Sequence, residues 1–201
     1  MFSFLSVSEF SSLAVAVAAA VTAFFARQGF KEWGKRLRAE VSYTTARELL
    51  ESVYLLRDSI ANIRTPAVSR LSVSEEDYPN KTPTFLSYKG LELFYEERYL
   101  KIGEAKAKVY ASLLQAEVLW GSDIRDTMDG LIAHEKRLAG ALSNYIKLHN
   151  PEVSEDEKSI SRGLIGDIEI YDTGEDDEFS VELKKRIKRV EDILRPKFIV
   201  D

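Results

Sequence analysis

The sequence predicts an all-α fold: an N-terminal transmembrane helix, then long antiparallel helices in a bundle or hairpin, then a mixed C-terminal arm with a short helix. Three observations predict it. Phe10–Ala26 (FSSLAVAVAAAVTAFFA) holds seventeen residues without a charge, and all 28 Lys and Arg residues follow it. Three later segments place apolar residues at spacings of three, four and seven or eight, the repeat of an amphipathic helix. Each of those segments stops at a Pro or Gly signal.

A membrane-spanning helix needs about 20 apolar residues, with a lower limit near 17. Phe10–Ala26 sits at that limit, and extension back to Phe2 adds Phe4, Leu5 and Val7 while taking in Glu9. The aromatic and aliphatic residues of the run favour insertion by roughly 3 kcal/mol in sum, and its Ala-rich centre adds little. Three other readings compete: a cleaved signal peptide, a buried core helix, and an artefact of expression or assembly. A signal peptide needs a positively charged start, and Met1–Glu9 has no Lys or Arg. A buried core helix is also compatible with so short a run. Arg27, Lys31, Lys35, Arg36 and Arg38 follow at once, opposed by Glu32 alone. The positive-inside rule then places the N-terminus outside and the rest of the chain in the cytoplasm. The basic cluster is expected to contact anionic lipid, with Trp33 and Phe30 at the headgroup level. The candidate site is therefore membrane-proximal: Arg27, Lys31, Trp33, Lys35, Arg36 and Arg38. Ala14, Ala18 and Thr22 recur four apart, as do Ser12, Ala16 and Ala20, a spacing that lets membrane helices associate closely.

Lys31 to about Ile63 reads as one long helix, with Trp33, Leu37, Val41, Leu49, Val53, Leu56, Ile60 and Ile63 on its stripe. It is free to continue straight from the span, and Thr65–Pro66 ends it, because the residue before Pro leaves the helical region. Ala67–Pro83 has the composition of an exposed loop, in which Ser74–Asp77 is suited to cap a single turn. Thr84–Trp120 is the second helix; Leu86, Leu93, Leu100 and Ala107 repeat every seven residues along it. Gly121–Ser122–Asp123 breaks it. A third helix runs to about His149, capped by Ser122 or Asp123 and stopped by Asn150–Pro151.

Beyond Pro151 the pattern changes. Ser154 with Glu157 is a capping-box pair that opens a short helix. Asp167–Tyr171 alternates like a strand, but a strand cannot stand alone, so it is expected to be an extended arm. Asp172 and Glu175–Glu178 form an acidic run, expected to be a solvated connection. A last amphipathic helix covers roughly Ser180–Leu194 before Arg195–Pro196. The expected divisions are 1–29, an anchor; 30–150, a helical cytoplasmic domain; and 151–201, an acidic connection with a C-terminal amphipathic helix.

Composition sets limits on function. About 175 residues after the run suffice for one core. Cysteine is absent, so disulfide, thiolate-metal and thiol-nucleophile chemistry are excluded. A net charge of −5 argues against nucleic-acid binding, which needs a basic face. No Gly-rich phosphate loop, HExxH or GxSxG occurs. His134 and His149 each lack the Glu three residues before them that a di-iron bundle uses, and the acidic run lacks the spacing of a calcium loop. Arg57, Asp58, Arg64 and Glu117 are read as exposed helix charges or as pairs inside the bundle. No catalytic, cofactor-binding or metal-binding residue is identified, no cofactor is expected, and no small-molecule substrate is indicated.

The layout resembles uncharacterised bacterial single-span membrane proteins with a helical cytoplasmic domain. The resemblance rests on Phe10–Ala26, Trp33 with Lys35–Arg38, Leu56–Arg57–Asp58 with Arg64–Thr65–Pro66, and Ala116–Gly121 (AEVLWG). It spans residues 10–149 and implies a location, the bacterial inner membrane with a single pass, but no activity and no site residues. The functional expectation is a membrane-anchored, non-enzymatic interaction or scaffold protein, whose partners are the membrane and another protein or itself. The alternative is an oligomerising regulator or effector of a bacterial stress or defence system acting at the membrane.

Overall fold

Helix α1 runs unbroken from Val7 to Arg64, 58 residues, or about 87 Å at 1.5 Å per residue. No Pro occurs within it, and Thr65–Pro66 stops it as expected. The computed structural model describes residues 7–66, 73–166, 168, 170–171 and 177–198, with side chains of α1 from residue 14 onward. The remaining helices are α2 (Pro83–Trp120), α3 (Asp123–His149), α4 (Glu155–Ile165) and α5 (Glu178–Leu194), the last followed by a 3-10 turn over Arg195–Phe198. No strand occurs among the described residues.

Among the described side chains of α1, only those of its C-terminal part are packed. Ala46, Leu49, Val53, Leu56, Ile60 and Ile63 are fully buried, the three-and-four spacing of one helix face. They meet α2, whose Tyr88, Tyr95, Ile102, Val109 and Ala116 are buried at seven-residue intervals. The two helices are antiparallel: Arg98 donates to the carbonyls of Asn62 and Thr65 at 2.9 and 2.8 Å, while Trp120 Nε1 donates to Ser42 Oγ at 3.2 Å. Lys106 on α2 pairs with Glu135 on α3. Arg186 on α5 donates to the Gly130 carbonyl of α3 at 2.8 Å. Tyr54 on α1 donates to Glu191 on α5 at 2.9 Å. The helices thus form a ring, α1–α2–α3–α5 and back to α1, each antiparallel to its neighbours, as in an up-down four-helix bundle. Helix α4 packs on α3 outside the ring.

Local signals explain the boundaries. Thr82 caps α2 by accepting from Phe85 N, and Pro83 opens it. Gly121 holds φ +85°, ψ −169° at the sharp turn into α3, a region open to glycine. Ser122 precedes α3 without making a side-chain cap. Ser154 and Glu157 form the expected capping box at α4. Asp77 N donates to Ser74 Oγ at 3.3 Å, closing the expected turn in the 73–82 connection.

Two expectations change. The transmembrane helix predicted at Phe10–Ala26 is not found: among the described residues no helix is long and apolar enough to cross a membrane. The run is Ala-rich and gives way after Ala26 to Arg27, Gln28 and Lys31, while its first four side chains lie outside the described residues. The alternating stretch Asp167–Tyr171, expected to be an extended arm and not a strand, shows no strand at its described positions Ile168, Ile170 and Tyr171; Asp167 and Glu169 lie outside them. In the acidic run, Asp172, Glu175 and Asp176 lie outside the described residues. Asp177 is not a solvated carboxylate but the buried N-cap of α5, because Arg64 and the first turn of α5 supply its partners.

Candidate interaction surfaces

The predicted membrane-proximal residues all lie on the part of α1 that leaves the bundle. Every side chain from Ala14 to Trp33 is exposed, among them Val15, Val17, Phe24, Phe25 and Phe30. Trp33 is 64 % exposed, so it is not a core residue of the following helix. Helical geometry sorts this arm into faces. Phe30, Trp33, Leu37 and Val41, spaced three, four and four, share one exposed face. Arg27, Lys31, Lys35 and Arg38 share an adjoining one. Arg36 falls on the far side with Glu32 and Glu40, so the structure brings together four of the five basic residues and separates the fifth. Lys35 lies 4.0 Å from Glu32 in an exposed pair, weak by nature.

A second surface lies on α2. Leu100, Leu114 and Val118 are 65, 60 and 80 % exposed. On the α3 side this face deepens into a groove of about 1280 Å³ with Leu100, Ala107, Leu142 and Ile146 in its lining. Its polar groups include Tyr88, Glu92, Glu96, Tyr99 and Glu104. Tyr88 donates to Glu92 at 2.7 Å; burial, with Glu92 beside it, pushes the Tyr88 hydroxyl up to about 12. Burial raises the Glu92 carboxyl, but the hydrogen bonds from Lys89 and Tyr88 outweigh it and leave it below its ordinary value. At one end of the groove Glu92 is thus held as a carboxylate paired with Lys89, beside the apolar Leu100, Ala107, Leu142 and Ile146.

The buried charges serve the fold. Arg64 donates to Asp177, to Ser180 Oγ at 2.6 Å and to the Tyr171 carbonyl at 3.2 Å. Glu135, 1 % exposed, accepts from Lys106 at 2.7 Å. His134 stacks on Phe179 at 4.0 Å, and its Nε2 lies 3.0 Å from the Phe179 carbonyl. A carbonyl only accepts, so Nε2 carries the hydrogen. Beside it a smaller cavity of about 340 Å³ mixes Arg137, Lys185 and Arg186 with Glu178 and Glu182. Among the described residues no cluster of His, Asp and Glu is able to hold a metal ion. The sequence carried a sign of the Arg64 node: Arg64 continues the buried stripe after Ile60 and Ile63, and Asp177 precedes Ser180 at capping distance.

These features define a helical-bundle protein with one bare apolar-and-basic arm and one exposed apolar face. Comparison with known proteins gives no match to a family model, a curated protein or a solved structure.

Proposed function

We propose that the chain is a membrane-attached interaction protein without catalytic activity, in which the N-terminal half of α1 engages the bilayer and the bundle engages a protein. One observation carries this reading: Phe24, Phe25, Phe30 and Trp33 are each more than 60 % exposed on the stretch of α1 from Ala14 to Trp33, every side chain of which is exposed. Moving such a side chain out of water yields about 1.5–3 kcal/mol, and a bilayer offers that environment to Phe24 and Phe25 within it and to Phe30 and Trp33 at the headgroup level. The basic face beside it matches the anionic leaflet, at about 1 kcal/mol per residue near the surface. In this reading Phe10–Ala26 enters the inner membrane of a bacterium with its N-terminus outside, and the bundle faces the cytoplasm.

The test is flotation of the full chain, and of a chain beginning at Arg27, with phosphatidylglycerol and with phosphatidylcholine vesicles. The reading expects the full chain to float with both and the truncated chain to be lost from neutral vesicles. A full chain that stays at the bottom of the gradient with both overturns it. A second reading, an oligomerising effector of a stress or defence system, draws on the exposed Leu100, Leu114 and Val118. It expects growth arrest on overproduction, abolished by deleting residues 1–26.

A further inference from the structure

The outer face of α2 is close to a palindrome. Centred on Ala107, it carries Gly103 and Ala111 four residues to either side and Leu100 and Leu114 seven to either side, all exposed. We propose that this face binds the same face of a second copy, α2 against α2 and antiparallel, about a two-fold axis at Ala107. The proposal names the protein partner of the reading above as the chain itself, on a surface separate from the membrane-facing arm.

Three observations converge on it. First, Gly103 lies in the middle of α2, where glycine weakens a helix. A Cβ at Gly103 would meet nothing within 4 Å in its own chain, so the chain's own packing does not call for glycine there. Close approach of a second backbone does, and small residues spaced four apart permit it. Second, the two-fold sets Leu100 over the partner's Leu114, and Leu114 over the partner's Leu100. These side chains are 65 and 60 % exposed, and the pairing removes both from water. Third, the charges complement. An antiparallel two-fold brings like flanks together, and Glu104 and Lys108 share one flank. Glu104 stands three residues before Ala107 and Lys108 one after, so each Glu104 comes within about 3 Å, along the axis, of the other copy's Lys108. A parallel pairing instead sets Glu96 against its own copy, whereas the antiparallel one sets it beside Val118 at the solvated end. Such a dimer points its two α1 arms in opposite directions. While α1 keeps its unbroken course, such a dimer presents one arm at a time to a single bilayer.

The chain contains no cysteine, so single substitutions report the pairing without a background. In the full-length protein, Ala107→Cys is expected to cross-link to itself on mild oxidation. A mixture of Leu100→Cys and Leu114→Cys is expected to cross-link, and neither of these alone. Ala107→Lys is expected to halve the mass measured by light scattering with helical circular dichroism unchanged. Self-cross-linking of Leu100→Cys, no cross-link at any of these positions, or an unchanged mass for Ala107→Lys overturns the proposal. Vesicle flotation of the same variants reads membrane attachment separately, so either idea is able to fail while the other stands.

Discussion

Arg64, the last residue of α1, and Asp177, the N-cap of α5, meet with Nη2 2.9 Å from Oδ1, although 113 residues separate them. Both side chains are buried, at 2 and 1 % exposure. The contact closes the ring of helices at the end far from the bare arm, and the guanidinium also lies 4.8 Å from the Phe179 ring centre. A buried pair costs desolvation on both sides, and its loss is severe when one partner remains. Asp177→Ala or Arg64→Met is therefore expected to destabilise the bundle by about 3–5 kcal/mol, read as a fall in urea midpoint. The double variant Arg64→Met with Asp177→Leu is expected to recover much of that loss. Single variants within 1 kcal/mol of the parent would refute a closing role for the pair.

The same pair gives stability a sign against pH. Burial raises the Asp177 carboxyl, but the hydrogen bonds from Arg64 and Ser180 outweigh it, so the folded value lies below the ordinary one. The unfolded carboxyl titrates near 3.9. Its contribution is thus fully present above about pH 4 and lost as pH falls through the folded value. His134 acts at higher pH. Burial holds it below its ordinary value, against the Phe179 carbonyl contact, so the folded state keeps it neutral while the unfolded chain protonates near 6.5. Stability is expected to fall as pH drops below about 6.5, and His134→Gln to flatten that slope between pH 7.5 and 5. A slope unchanged in His134→Gln would assign it to other groups.

Glycine substitutions separate three kinds of position. Gly121→Ala forces a side chain into the φ +85°, ψ −169° conformation and is expected to cost about 1–3 kcal/mol. Gly130→Ala would place a Cβ 2.9 Å from Arg186 Nη1, displacing the guanidinium from the Gly130 carbonyl and loosening α5 on α3. Gly103→Ala meets open space and is expected to stabilise the isolated chain by about 0.5–1 kcal/mol. Thermal denaturation in an Ala107→Lys background, which keeps the chain monomeric, ranks the three, and a destabilised Gly103→Ala there would refute the open environment within its own chain.

The helices were legible because their signals are local. Ile60 and Ile63 keep the stripe to the end of α1, Pro66 stops it, and Ser154 with Glu157 marks α4. The boundary of α2 falls one residue from the sequence expectation, at Pro83 instead of Thr84. What periodicity does not carry is the partner of a charge. Arg64 lies four residues after Ile60 on the buried stripe, and Asp177 stands at capping distance before Ser180 within a run of carboxylates, so each carries a local sign of its place but neither names the other as its partner across 113 positions. Likewise, Phe10–Ala26 shows apolarity by composition, but composition does not state what the apolar surface touches. The face-sorting of Arg27, Lys31, Lys35 and Arg38 away from Arg36 was open to reading from helical spacing and emerged only once α1 was seen to be continuous.

The two tryptophans report on opposite ends of the α1 question. Trp33 is 64 % exposed on the bare arm; Trp120 is half-buried, with Nε1 bonded to Ser42 and Lys197 5.4 Å from its ring centre. Trp120→Phe leaves Trp33 as the single indole. Its emission is expected to be that of a solvated ring in buffer and to shift to the blue on phosphatidylglycerol vesicles, because the ring then sits at the headgroup level. Surface attraction is screened by salt over a Debye length of about 8 Å at physiological ionic strength, so the vesicle concentration needed for half the shift is expected to rise with salt. Each of Arg27→Glu, Lys31→Glu, Lys35→Glu and Arg38→Glu removes a cation worth about 1 kcal/mol from the lipid-facing side, a change of roughly fivefold in that concentration or more. Arg36→Glu acts on the opposite face and is expected to change it less. Equal effects at all five positions would mean that the arm enters the surface without a preferred face; an emission maximum that vesicles leave unmoved would mean that Trp33 never reaches the lipid.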